Sequence, residues 1–173
     1  MERLWTPWRL QYVTSADKSQ GCALCEARVA TGPGSLLLFQ GRECFVVLNL
    51  FPYNNGHLMV VPNRHFATLS DATDGELCEL GVLTRLAERA LTETYRPQGL
   101  NVGMNLGRAA GAGVVDHIHI HVVPRWNGDT NFMPVIAGTS VLPQALDEVA
   151  ARLRAALAQD CDPSAPASPS STS

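Results

Sequence analysis

Three of the chain's five histidines, His117, His119 and His121, alternate with Ile118, Ile120 and Val122. Imidazole titrates near neutrality and can serve as nucleophile, proton carrier or metal ligand. Strict alternation of polar and β-branched apolar residues is the pattern of a strand, whose successive side chains point to opposite faces. The spacing predicts a strand over about 114–124, with three imidazoles on one face and the apolar set against a core. A single histidine on a strand is ordinarily a surface or hydrogen-bonded residue. Three in register, out of five, point to a reaction site.

Two other groups stand out by type and spacing. The stretch Asn105-Leu-Gly107-Arg-Ala-Ala-Gly111-Ala-Gly113 leads into the histidine row. Glycines let backbone N–H groups turn toward an anion and cradle phosphate oxygens, and Arg108 adds charge. The loop has neither the spacing nor the lysine of a P-loop, which argues against a kinase or ATPase. Cys22-x-x-Cys25 is half of a zinc site, a redox pair, or two incidental thiols. No strand–helix–strand pattern surrounds it, which disfavours redox chemistry.

These residues need elements to hold them. Thr31-Gly-Pro-Gly34 reads as a turn, and Leu36–Gln40 with Cys44–Leu50 as a hairpin around Gly41-Arg42. His57–Pro62 is a further strand. Ser70 or Asp71 caps a long helix over about 73–95, whose leucines and alanines recur at three and four residues. Leu100–Leu106 is a strand, and a last helix runs from about Pro143 to Leu157. The expected fold is α+β: an antiparallel sheet of about five strands, one long central helix and a C-terminal helix, with helices packed to one side. Residues 1–20 form an arm, 21–159 the domain, and 160–173, rich in Pro, Ser and Ala, a disordered tail.

Composition narrows the function. At 173 residues and 46% hydrophobic, the chain suits one soluble domain. A net charge of −3 advertises no nucleic-acid surface. Lysine occurs once, at Lys18, so an anionic substrate would be met by local arginines and backbone donors. The apolar runs, such as Phe45–Leu48 and Leu58–Val61, are too short to cross a bilayer. No signal peptide is visible, and an odd number of cysteines, five, fits reduced thiols and a cytoplasmic location.

The row His117–Val123 resembles the signature of the histidine triad (HIT) superfamily of nucleotide hydrolases and transferases. Leu48-Asn49-Leu-Phe-Pro-Tyr-Asn-Asn-Gly-His57-Leu-Met-Val-Val-Pro62 and the Asn101–Gly107 segment look like the same family. The resemblance covers about 21–136. Leu4-Trp-Thr-Pro-Trp-Arg9 and Pro124-Arg-Trp-Asn-Gly-Asp-Thr-Asn-Phe132 are similar to a narrower bacterial group that includes diadenosine tetraphosphate phosphorylases.

The resemblance implies that His119 attacks the α-phosphorus and forms a nucleotidyl-histidine, which water or phosphate then resolves. It implies that His121 contacts the phosphate, Asn49 the ribose, and Asn105 with Gly107, Gly111 and Gly113 the phosphates. Trp126 either stacks on adenine or caps the sheet end. Many relatives carry Ser, Thr or Gln near the end of the loop, whereas this chain has Gly111-Ala-Gly113-Val-Val115, so that contact is either missing or replaced by backbone. The family also supplies the other half of the zinc site, His65 and His117, giving a structural Cys22, Cys25, His65, His117 set. His57 is read as a hydrogen-bonding neighbour. A homodimer through the long helix and an edge strand is implied too.

The leading expectation is phosphorolysis of diadenosine tetraphosphate to ATP and ADP; within the same class stand hydrolysis releasing AMP and cleavage of nucleoside phosphoramidates. Two other classes stay open: a metalloenzyme using His117, His119 and another histidine as catalytic zinc ligands, and a nucleotide-binding adaptor without turnover. Metal content after His119→Ala, and product formation, separate them. Whether Mg²⁺ is required is also open: no carboxylate cluster suits it, though substrate phosphates could bring their own.

Overall fold

The computed structural model describes residues 21–129 and 144–160. The arm with Trp5 and Trp8, the Thr130–Phe132 end of the second bacterial motif, and the tail from Cys161 onward lie outside the described residues. Helix α1 spans Ala23–Val29, followed by strands β1 (Leu37–Gln40), β2 (Cys44–Leu48) and β3 (Leu58–Pro62). Helix α2 covers Asp74–Tyr95, strand β4 Gly99–Gly103, strand β5 Ile120–Arg125 and helix α3 Leu146–Asp160. The five strands form one antiparallel sheet in the order β1-β2-β3-β5-β4. The expected α+β class stands.

The expectation that the helices pack to one side needs correcting. On one face Val46, Leu48, Leu58, Val60, Ile118 and Val122 meet Leu80, Leu83, Ala87 and Leu91 of α2 and Val149, Leu153 and Leu157 of α3. On the other, Phe45, Val47, Met59 and Val61 pack against Leu24 of α1. The reason lies in β2 and β3. Their sequences Cys-Phe-Val-Val-Leu and Leu-Met-Val-Val-Pro are apolar at every position, and every residue is buried. Strands of that kind need cover on both faces.

The cap of α2 also differs from the expectation. Ser70 and Asp71 belong to a 3₁₀ turn, Leu69–Asp71, and the cap is Thr73. Its hydroxyl accepts from the Glu76 N–H while the Glu76 carboxylate accepts from the Thr73 N–H, at 3.2 and 2.8 Å. This reciprocal box satisfies two of the helix's orphan donors.

The histidine row enters the ladder later than its alternation predicts. Val60 faces Ile120 across β3 and β5. The next register position opposite Ile118 is Pro62, which has no N–H to give. The Ile118 N–H instead donates to the carbonyl of Phe66 at 2.9 Å. His117 therefore sits at the end of a bend and His119 just before the strand, and only His121 lies within β5. β4 likewise stops at Gly103 rather than reaching Leu106.

Candidate functional site

The register decides which way the histidines face. His121 lies opposite Met59, and Met59 opposite Val47, so His121 joins the α1 face of the sheet. Ile118 and Val122 go to the α2–α3 core. His119 and His121 are adjacent, their rings edge to face with centroids 4.7 Å apart. Both line one pocket with Val47, Leu48, Asn49, Leu50, Phe51 and Met59 from the sheet and its connection, Ala23, Leu24 and Ala27 from α1, and Gly111, Gly113 and Val114 from the glycine loop.

His119 is 4% exposed. Its Nδ1 lies 2.9 Å from the carbonyl oxygen of His117, which can only accept, so Nδ1 carries the proton. Nε2 is then the unprotonated, nucleophilic nitrogen. Burial holds this imidazole below its ordinary pKa, partly opposed by the hydrogen bond to His117, and keeps it neutral.

A second tautomer follows from the turn between β2 and β3. Gly56, at φ +78°, closes this turn, and a Cβ there would lie 3.1 Å from Leu91 and 3.3 Å from Tyr95. The turn aims the Tyr53 N–H at His57 Nδ1, 3.1 Å away, so that nitrogen accepts. His57 Nε2 must then be protonated, and it donates to His121 Nδ1 at 2.9 Å. His121 is left with its proton on Nε2, a donor suited to a phosphate oxygen. Asn49 supports the arrangement: its Oδ1 accepts from the Phe51 N–H, which turns Nδ2 toward His57 Nδ1 at 3.3 Å. Burial foremost, then His121 and His119, push the His57 pKa down to about 3.

His117 belongs to a different site. Its Nε2–H donates to the Pro62 carbonyl at 2.9 Å, which points Nδ1 at two thiols. Cys22 Sγ and Cys25 Sγ lie 3.4 and 3.5 Å from it, and Cys25 Sγ lies 3.4 Å from His65 Nδ1. Tetrahedral zinc with bonds of about 2.3 Å to sulfur and 2.05 Å to nitrogen gives S···N edges of roughly 3.6 Å. The four donor atoms lie within 4.8 Å of one another, so the set fits a closed four-coordinate ion. A carbonyl behind a ligating imidazole is the outer partner such sites use. His65 is delivered by an anchored loop, in which Asn63 donates to the Arg42 carbonyl and Arg64 pairs with Glu76 at 3.0 and 2.8 Å.

Not every expected site residue reaches the pocket. Gly111 and Gly113 line it, while Gly107, with φ +81°, opens the 3₁₀ turn Arg108–Ala110 and is not part of the wall. Asn105 is half-buried outside the wall, and Trp126 lies beyond the far end of β5, where its N–H donates to Asp129. The α1 residues Ala23, Leu24 and Ala27 were not expected at the pocket. Their signal was the two-faced apolar character of β2 and β3, which requires a cover.

Comparison with known proteins agrees with this geometry. The HIT domain family model matches residues 34–128. A protein of Mycobacterium tuberculosis described as AP-4-A phosphorylase is 43% identical over 154 residues, covering 84% of this chain and 79% of that protein. A Zn-bound histidine triad family protein from Mycobacterium smegmatis superposes with a TM-score of 0.64 at 28% identity, over 80% of this chain and 94% of that one. A hypothetical histidine triad nucleotide-binding protein from Sulfolobus tokodaii, at 24% identity, shares the fold with a TM-score of 0.64 over 79% of this chain and 92% of its own.

Proposed function

The chain belongs to the HIT domain family, and we propose that it is a nucleotidyl transferase that cleaves diadenosine tetraphosphate with inorganic phosphate, releasing ATP and ADP. The observation that carries this reading is the tautomer of His119, whose Nδ1–H is held by the His117 carbonyl inside a largely apolar pocket. Nε2 attacks an α-phosphorus, the bond to the bridging oxygen breaks, and ATP leaves with that electron pair. Phosphate then attacks the nucleotidyl-His119, the P–N bond breaks, and ADP leaves while the pair returns to Nε2. His121 Nε2–H donates to the phosphoryl oxygens as charge develops on them. His57 fixes that proton's position and stays neutral, so it is a positioning residue.

Asn49 meets the ribose from the pocket wall, and the end of the glycine loop at Gly113 lies against the phosphates, while the Gly111 and Ala112 N–H groups close the loop onto the Arg108 and Gly107 carbonyls. Asn105, Gly107 and Trp126 stand outside the wall, so any contact they make is with the distal part of a long dinucleotide. Cys22, Cys25, His65 and His117 hold a structural zinc ion, which contributes fold energy and no open coordination position. Reduced thiols at that site accord with a cytoplasmic location. The chain pairs as a homodimer through the long helix α2 and the edge strand β4, which exposes Val102.

Product analysis tests the reading. Incubation with diadenosine tetraphosphate should give ATP and ADP only when phosphate is present, and nothing in His119→Ala. ATP and AMP regardless of phosphate would make water the acceptor. No turnover of any dinucleotide would overturn the assignment.

A further inference from the structure

Helix α1 stands between the two sites. It has two turns, and a helix so short is marginal in water without tertiary ties. Its N-cap, Cys22, makes no side-chain capping bond. What holds it is the thiol–imidazole cluster on one side and burial of Leu24 on the other. Cys22 and Cys25, three residues apart, present one stripe to His65 and His117. Leu24 and Ala27, also three apart, present a second stripe to Val47, Met59 and Val114, and with Ala23 they form a wall of the pocket.

We propose that metal occupancy of the Cys22–Cys25–His65–His117 cluster sets the pocket's affinity for the nucleobase by fixing α1. This rests on the readings that the cluster takes a metal and the pocket a nucleotide. The side chains that α1 contributes to the wall, Ala23, Leu24 and Ala27, offer shape and dispersion contacts, which suit a base, and no side-chain donor or charge for phosphate. Metal loading therefore strengthens binding of the base and leaves the phosphate end alone. Coupling is reciprocal, so a bound base must strengthen metal binding by the same factor.

The experiment compares AMP with ribose 5-phosphate, which lacks the base. Both are titrated calorimetrically into the zinc-loaded full chain and into the chelator-stripped chain, with circular dichroism checking that the stripped chain stays folded. Stripping should weaken AMP by a factor of about ten, a typical coupling, and ribose 5-phosphate by less than about twofold. Zinc affinity, read by chelator competition with each ligand present, should rise about tenfold with AMP alone. This second measurement needs no metal-free sample. Ala27→Phe should weaken AMP while zinc binding is retained.

Equal weakening of both ligands would overturn the proposal in favour of a route through His117 and its carbonyl to His119. Unchanged AMP affinity in the stripped chain, with zinc shown to bind, would overturn it alone. AMP binding to neither form would remove the nucleotide reading with it, and absence of zinc would remove the metal reading.

Discussion

His57 makes the acid sensitivity of this fold calculable. It is fully buried, and its pKa is pushed from 6.5 to about 3, chiefly by burial and then by His121 and His119. Between those values the unfolded chain binds a proton that the folded chain refuses. The depressed folded pKa therefore gives stability that is present above pH 6.5 and lost as pH falls toward 3. The slope approaches about 1.4 kcal/mol per pH unit, and the whole loss is roughly 5 kcal/mol.

His57→Gln removes the titration. At pH 7 it should destabilise by about 1–3 kcal/mol, because the Tyr53 N–H and the His121 Nδ1 lose their partner. By pH 4 the wild type has given up roughly 3 kcal/mol that the variant has not. The two stability curves should then converge and cross between about pH 6 and 4. Urea unfolding at half-unit pH steps reads this directly. With the metal state held the same in both proteins, protonation of the metal ligands cancels in the difference. A gap that stays constant from pH 7 to 4 would refute the buried neutral imidazole, and with it the assigned tautomers.

His119→Ala should lower turnover by roughly 10³-fold or more while keeping one zinc per chain by elemental analysis; loss of the metal would instead favour a catalytic zinc. Cys25→Ser should abolish stoichiometric zinc and lower the melting temperature; a variant that keeps its zinc would contradict the four-ligand set. Glu79 accepts N–H bonds from Arg42, Glu43 and Cys44, so Glu79→Ala should cost about 2–4 kcal/mol in denaturant unfolding, with no change in metal content. Gly56→Ala, forced to φ +78° against Leu91, Tyr95 and Pro124, should cost about 1–3 kcal/mol by the same measurement.

What could be read from the sequence was what depends on spacing. The alternation from His117 to Val123 placed Ile118 and Val122 in the core and His121 on the opposite face, because side-chain direction follows parity along an extended chain. The two-residue gap of Cys22-x-x-Cys25 found its partners through the family resemblance, and all four donors converge. Two further signals lie in the residue pattern itself. Thr73-x-x-Glu76 is a capping box in plain sight, and the unbroken apolar runs of β2 and β3 demanded a second cover.

The hydrogen-bond chain from Tyr53 through His57 to His121 is of another kind. It begins at a backbone N–H, whose direction is set by a turn that Gly56 closes at positive φ, and no residue type encodes it. The apolar strands β2 and β3 call for a cover, but which residues of α1 form the pocket wall is not marked, because alanines and a leucine carry no chemical signature. Alternation can tell which histidines share a face, but the ring nitrogen holding each proton is fixed by carbonyls and amides brought in from elsewhere. In this chain those groups are the His117 and Pro62 carbonyls and the Tyr53 amide. In the proposed function they divide a row of three chemically identical side chains into a metal ligand, a nucleophile and a proton donor.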